Sequence, residues 1–167
     1  YGRVVPRKRL LMRAVVQRVA EASVTIDGQR VAHIHSGLLV LLGISEDDTE
    51  IDLEWLCGKI LKLRIFPDDQ GVMNLDVHQV NGDLILVSQF TLLASTSKGN
   101  RPSYIRSARP DVAMPLYLRA KQRFCELLGK PIGTGEFGAD MKVALVNDGP
   151  VTLVIDLLLI HISEPTR

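Results

Sequence analysis

Residues 145–155 read LVNDGPVTLVI, an apolar and largely β-branched run interrupted in its middle by Gly149-Pro150. Proline has no N–H to give to a ladder and glycine packs nothing, so a central strand should exclude both. Two readings are open. The pair is either part of an Asp-Gly turn joining two strands, or an X-Pro peptide, the one kind of bond for which cis is cheap, placed there for use. The flanks, MKVALVND before and VTLVIDL after, both have strand character, so the fold turns on how this stretch is joined.

Upstream, GTGEFGAD is a loop, and before it residues 112 to 128 form a helix with Met114, Tyr117, Phe124 and Leu128 on one side. Gly129 and Pro131 stop that helix, and Pro115 is expected in its first turn. ASTSKGNRPSYIRSAR, residues 94 to 109, is polar and reads as an ordered loop. Earlier still, Asn81-Gly82 opens a strand, DLILVSQFTL, and PDDQG turns into a short strand near Val72 to Leu75. Thr49 precedes EIDLEWLCGKILKLRIF, where Ile51, Trp55, Ile60 and Leu63 recur at helical spacing. Acids lead that segment and Lys59, Lys62 and Arg64 trail, which suits a helix macrodipole. GLLVLLGI, 37 to 44, is a continuous apolar run expected in the sheet centre, and VTIDGQRVAHI sets Asp27-Gly28 between two alternating runs as a hairpin. These elements predict an α/β (α+β) fold: a curved, largely antiparallel sheet or open β-barrel with two packed helices.

With 167 residues and 46% apolar content, one domain with a real core is expected. Met12 heads the first strand pattern, so the domain is read as 12–157, with 1–11 and 158–167 as extensions outside it. The formal charge of +1 hides an asymmetry. Residues 1 to 11 hold Arg3, Arg7, Lys8 and Arg9 without an acid, and the last ten hold Glu164 and Arg167, so 15 bases and 18 acids remain between and the body stands at −3. A broad basic face for nucleic acid is thereby excluded, and any RNA contact must be local. Cys57 and Cys125 lack metal or redox spacing and read as reduced thiols, which favours the cytoplasm; no apolar run reaches the roughly 18 residues of a membrane span.

His33 and His35 alternate on one strand face without a third ligand of suitable spacing, so no metal site is expected. His78 and His161 have no Ser or Cys motif beside them that would make a triad, and GTGEFG precedes a strand instead of opening a helix, so nucleotide-cofactor chemistry is excluded. SQFTL, 88 to 92, remains. Read as a strand end, it sets Ser88 and Phe90 on one face and Gln89 and Thr91 on the other. Thr91 as an activated nucleophile has no base beside it in sequence; the alternative is a site made of backbone N–H groups.

Together, VSQFTLLA and VNDGPVT resemble the two signature motifs of the D-aminoacyl-tRNA deacylases, Ser-Gln-Phe-Thr-Leu at Ser88 to Leu92 and Gly-Pro-x-Thr at Gly149 to Thr152. The resemblance spans Met12 to about Leu157 and includes MRAVVQRVAEASVTIDG, GLLVLLGI, RIFPDDQGVMN and GNRPSY; the terminal segments fall outside it. It implies a cytoplasmic homodimer, without metal or organic cofactor, that hydrolyses the ester between a D-amino acid, or glycine, and the terminal ribose of tRNA. That is chiral proofreading in translation, with L-aminoacyl-tRNA rejected. It also implies that Ser88, Gln89, Phe90 and Thr91 form the catalytic wall and that Phe137, Gly138, Ala139 and Met141 form another part of the pocket. Gly149 and Pro150 match a cis dipeptide that enters the partner subunit's site, placing the active site at the subunit interface, and Arg18 matches an arginine that orients its carbonyls. Lys98, Arg101 and Arg106, just after the first motif, are expected to meet phosphates at the acceptor end of the aminoacyl-tRNA. A non-catalytic nucleic-acid-binding module on the same fold is the alternative.

Such a pocket cannot recognise side chains if it must accept any D-amino acid; it can only read the arrangement around Cα. A backbone edge that holds the α-amino group and leaves no room for an L side chain would do so, and glycine would escape the exclusion.

Overall fold

The computed structural model describes residues 11–157, so the expected extensions lie outside the described residues except for Leu11, which is buried. The chain starts with a long strand, β1 (Arg13–Ile26), joined to β2 (Gln29–Ile34) by Asp27 and Gly28, both at positive φ (49° and 77°). Ile26 pairs directly with Gln29, so this is the two-residue hairpin its Asp-Gly pair predicts. β3 (Gly37–Gly43) pairs antiparallel with the first half of β1, whose second half pairs with β2. Then come α1 (Glu50–Lys62), a small hairpin of β4 (Phe66–Pro67) and β5 (Met73–Leu75), and β6 (Asp83–Ser88). α2 (Pro110–Leu128), β7 (Gly133–Thr134) and β8 (Lys142–Asp156) complete the described chain.

The main sheet runs β2-β1-β3-β6-β7, with β8 on the other edge of β1. β1 pairs antiparallel with β2, β3 and β8, so the curved sheet is largely antiparallel as expected, and its β3–β6 and β6–β7 pairs are parallel, which makes it mixed at that side. The crossover between β3 and β6 carries α1 and the small hairpin, and periodicity within a strand says nothing about which strand lies beside it. The sheet curls until β7 approaches β2: a Cβ placed on Gly133 would lie 3.1 Å from Cβ of Ala32.

Two apolar layers follow from the pleat. Leu38, Val40 and Leu42 of β3 and Leu84 and Leu86 of β6 face the helices, while Leu39, Ile85 and Val87 face the inside of the curl. Both central strands are thus buried on both faces, which is why GLLVLLGI has no polar alternation. On α1 the buried stripe is Leu53, Leu56, Cys57, Ile60 and Leu61; Ile51, expected on it, is 82% exposed because it lies on the opposite face of the first turn. Thr49 caps α1 in a reciprocal box with Asp52.

α2 departs from expectation at its start. It begins at Pro110, where a missing N–H costs nothing, so Pro115 falls past the first turn. Its buried face is Ala113, Tyr117, Ala120, Phe124 and Leu128, and Met114 turns outward. Gly129 ends it at φ 79°. Among the described residues no helix is long and apolar enough to cross a membrane, and no cluster of three His, Cys, Asp or Glu has metal-holding geometry. His33 meets the His35 ring at 4.8 Å and Glu21 Oε1 at 3.0 Å.

Of the two readings of LVNDGPVTLVI, the turn does not hold and the cis X-Pro peptide does. β8 is one strand paired with β1 along its length, not two strands joined by a turn, yet it is not continuous in register. Gln17 pairs with Thr152 and Val19 with Asn147, so residues 148–151 stand opposite the single residue Arg18. The Gly149-Pro150 pair sits in that bulge, where no ladder N–H is asked of the proline, and its peptide is cis.

Candidate functional site

β6 ends at Ser88, and the chain turns at once into a 3₁₀ helix, Phe90–Leu93. The expected strand-face alternation of SQFTL therefore does not occur, because the ladder to β3 finishes when Gln89 donates to the Leu42 carbonyl at 2.8 Å. Apolar alternation continues through the segment in sequence, but pairing does not. β3 makes room for the turn with Gly43, where a Cβ would stand 3.0 Å from the Gln89 carbonyl oxygen and 3.2 Å from Leu92 Cβ.

Side chains from elsewhere clamp the turn. Ser107 Oγ donates to the Phe90 carbonyl at 3.1 Å, and Arg13 Nη1 donates to the Leu92 carbonyl at 2.8 Å while its Nε and Nη2 hold Asp156 Oδ2. Intraturn bonds take up the Leu92 and Ala94 amides. The Phe90 and Thr91 amides, first in the turn, have no hydrogen-bond acceptor among the described residues. Two N–H groups on a braced backbone are what an oxyanion requires. Thr91 Oγ1 accepts from Gln89 Nε2 at 2.7 Å, which is an amide donor and not a base.

These residues line a cavity of about 540 Å³. Ser88, Gln89, Phe90 and Thr91 form one wall, and Phe137, Gly138, Ala139 and Met141, in the loop between β7 and β8, lie across it. Ile44, Val87, Ala113 and Val143 supply apolar lining, so the site opens where the helix layer and the inside of the curl meet. Phe137 packs on Tyr117, whose hydroxyl donates to the Leu86 carbonyl at 3.0 Å and whose pKa is pushed up to about 12 by burial. Ser107, Ala108 and Pro110 also line the cavity and were not foreseen, and Asp140 lines it within the expected 137–141 stretch. The first three flank the start of α2, and placing that start at Pro110 would have found them.

Gly149, Pro150 and Arg18 do not line the cavity of their own chain. Arg18, 8% exposed, donates from Nε to the Asp148 carbonyl at 2.9 Å and from Nη1 to the Ile65 carbonyl at 2.6 Å, fixing the base of the bulge to the chain after α1. Asn147 closes it from the other side: its Oδ1 accepts the Val151 amide at 2.7 Å and its Nδ2 donates to the Val151 carbonyl and Thr152 Oγ1. Gly149 has φ 136°, and a Cβ there would lie 2.9 Å from Val151 Cγ2 and 3.0 Å from Arg18 Nη2. Lys98 and Arg101 are exposed in the loop after the 3₁₀ turn, and Arg106 is half-buried beside Ser107.

Comparison with known proteins gives a consistent picture. A family model described as D-Tyr-tRNA(Tyr) deacylase matches residues 15–156. The D-aminoacyl-tRNA deacylase of Christiangramia forsetii is 59% identical over 145 residues, covering 87% of this chain and 97% of that protein. That of Parabacteroides distasonis is 58% identical over 149 residues with the same coverage of both chains. Among solved structures, one named c-Myc DNA Unwinding Element Binding Protein superposes with a TM-score of 0.82 at 39% identity, covering 86% of this chain and 97% of that one. A probable eukaryotic D-amino acid tRNA deacylase shares the fold, with a TM-score of 0.75 at 17% identity, covering 86% of this chain and 98% of that one.

Proposed function

The chain belongs to the D-Tyr-tRNA(Tyr) deacylase family, and from that premise we propose that it hydrolyses the ester of D-aminoacyl-tRNA, and of glycine esterified to tRNA, as a chiral proofreading step in the cytoplasm. The observation that carries this reading is the pair of unengaged amides, Phe90 and Thr91, held in the cavity wall by Ser107 and Arg13. An aminoacyl ester is already activated. It needs its carbonyl placed where two N–H groups receive the tetrahedral oxyanion, and a water placed opposite, with the neighbouring ribose hydroxyl to help move the proton. Thr91 acts here through its backbone.

Chirality is read from the partner subunit. The 148–151 bulge, braced by Arg18 and Asn147, stands away from its own cavity, and in a two-fold dimer each bulge enters the other's site. There it binds the α-amino group and leaves no room for an L side chain. Two features support dimerisation: β8 is a 15-residue edge strand whose one partner among the described residues is β1, and Leu145, Val146 and Val154 on it are exposed. Lys98, Arg101 and Arg106 take phosphates of the acceptor end, and residues 12–157 are the working domain.

Deacylation of D-Tyr-tRNA against L-Tyr-tRNA is the direct test; equal rates, or none on the D ester, end the reading. The 39% identical structure named for binding a DNA unwinding element favours a second one, a nucleic-acid-binding module without hydrolysis, which predicts RNA or DNA binding with no turnover.

A further inference from the structure

Apolar surface continues outward from Phe90 of the cavity wall through Tyr104, which packs on it, to Ile105. Phe90 is 55%, Tyr104 40% and Ile105 80% exposed, and the Phe90 and Tyr104 rings meet edge to face with centroids 5.0 Å apart. Tyr104 is not loose: its carbonyl accepts from the Ser107 amide at 3.0 Å, Ser107 is tied to Phe90, and Ser95 and Ser103 exchange two 2.8 Å bonds across the loop. The chemistry around it is one-sided. Residues 94–109 contain Lys98, Arg101, Arg106 and Arg109 and no acid, in a body that is otherwise mildly acidic. Arg106 Nη2 is buried with no hydrogen-bond partner among the described residues, a cation whose polar group lacks an acceptor.

Exposed aromatic rings interleaved with cations are what single-stranded nucleic acid binds, because every base offers a π face and every linkage a charge. Resting on the function proposed above, we infer that Tyr104, braced by Phe90, is the stacking platform for the nucleobase on the terminal ribose, with the preceding phosphates running over Lys98 and Arg101. The base and the ester are carried by the same sugar ring, so an ester against Phe90 and Thr91 leaves its base one ring away from that wall. The four bases with no acid favour this polyanion over a second copy of the chain as the occupant of the rim.

The probe is an uncharged RNA hairpin with a single-stranded 3′ end whose last base is 2-aminopurine, a fluorophore quenched by stacking. The unaltered chain and Tyr104→Phe should quench it, whereas Tyr104→Leu should lose quenching and bind about five- to a hundredfold more weakly, the range expected for one base–aromatic stack. With D-Tyr-tRNA, KM should rise by a like factor in Tyr104→Leu with kcat much less changed, and Tyr104→Phe should restore it. Quenching that survives Tyr104→Leu overturns the inference, as does equal loss in the Leu and Phe variants. A change of oligomeric mass in Tyr104→Leu, by sedimentation, also overturns it, since that would make the rim a protein interface. The binding readout needs no hydrolysis, so failure of the deacylase reading shows separately, as absence of D-Tyr-tRNA turnover by the unaltered chain.

Discussion

Phe90 separates the two chemistries that the wall can support. Gln89 before it (φ −144°, ψ 85°) lies outside the helical region that a following proline disfavours, and Phe90 is the first residue of the 3₁₀ turn, where a missing N–H breaks no intraturn bond, so Phe90→Pro removes the N–H and keeps the turn. Phe90→Ala removes the ring and keeps the N–H. With an oxyanion held by amides, Phe90→Pro should have a kcat about 10²–10³ below that of Phe90→Ala. Thr91→Ala should stay within about tenfold of the unaltered chain, since a covalent nucleophile would cost several orders of magnitude. Single-turnover rates on D-Tyr-tRNA decide it, and a trapped aminoacyl-Thr91 would reverse the assignment. Gly149 is the other informative residue. At φ 136° with Val151 Cγ2 and Arg18 Nη2 within 3.0 Å of a new Cβ, Gly149→Ala strains the bulge and crowds what it presents. Hydrolysis of the D ester should fall more than about tenfold, with Tm lower by a few degrees. Activity equal to that of the unaltered chain would show that the bulge does not meet the substrate.

At the scale of elements, what the sequence made legible was whatever is written in local chemistry. The Asp27-Gly28 hairpin, the Thr49 cap of α1 and the Gly129 stop of α2 were all readable, because each is fixed by residues within a few positions of one another. The 3₁₀ turn at Phe90–Leu93 was not, since its cause lies at Leu42, Gly43, Ser107 and Arg13, far away in sequence. For the same reason the motif residues Ser88 to Thr91 were identifiable while their conformation was misread. The two helices also carry a pH signature. Burial pushes Cys57 of α1 and Tyr117 of α2 up to about 12. Both are acids whose neutral form the fold prefers, so their contribution is complete below the unfolded values near 9 and 10 and is lost as pH rises towards 12. Tm should therefore fall across that alkaline window, less steeply in Tyr117→Phe, which should also start about 1 kcal/mol less stable for want of its bond to Leu86. At pH 8 iodoacetamide should label Cys125 and spare Cys57, which is buried as a thiol.

For the whole molecule the decisive matter is that cavity and bulge are separate features of one chain. The cavity opens at the end of β6, and the bulge stands on β8 over Arg18, outside the cavity's lining. If catalysis needs both, and each bulge serves the other subunit, then defects in the two features must complement. Phe90→Pro damages the wall and leaves the bulge intact; Gly149→Ala does the reverse. In a mixed dimer one site combines the intact wall of the Gly149→Ala chain with the intact bulge of the Phe90→Pro chain, and the other site carries both defects. Equal amounts exchanging at random give half mixed dimers, each with one working site, so the mixture should recover about a quarter of the activity of the unaltered protein. Each variant alone should show little. Subunit exchange is verified by mixing two affinity tags and co-purifying both. Exchange without recovery of D-Tyr-tRNA hydrolysis would mean that the bulge works on its own chain or not at all. Recovery would place the Gly149-Pro150 edge across the interface and explain why an apolar strand gives up register there.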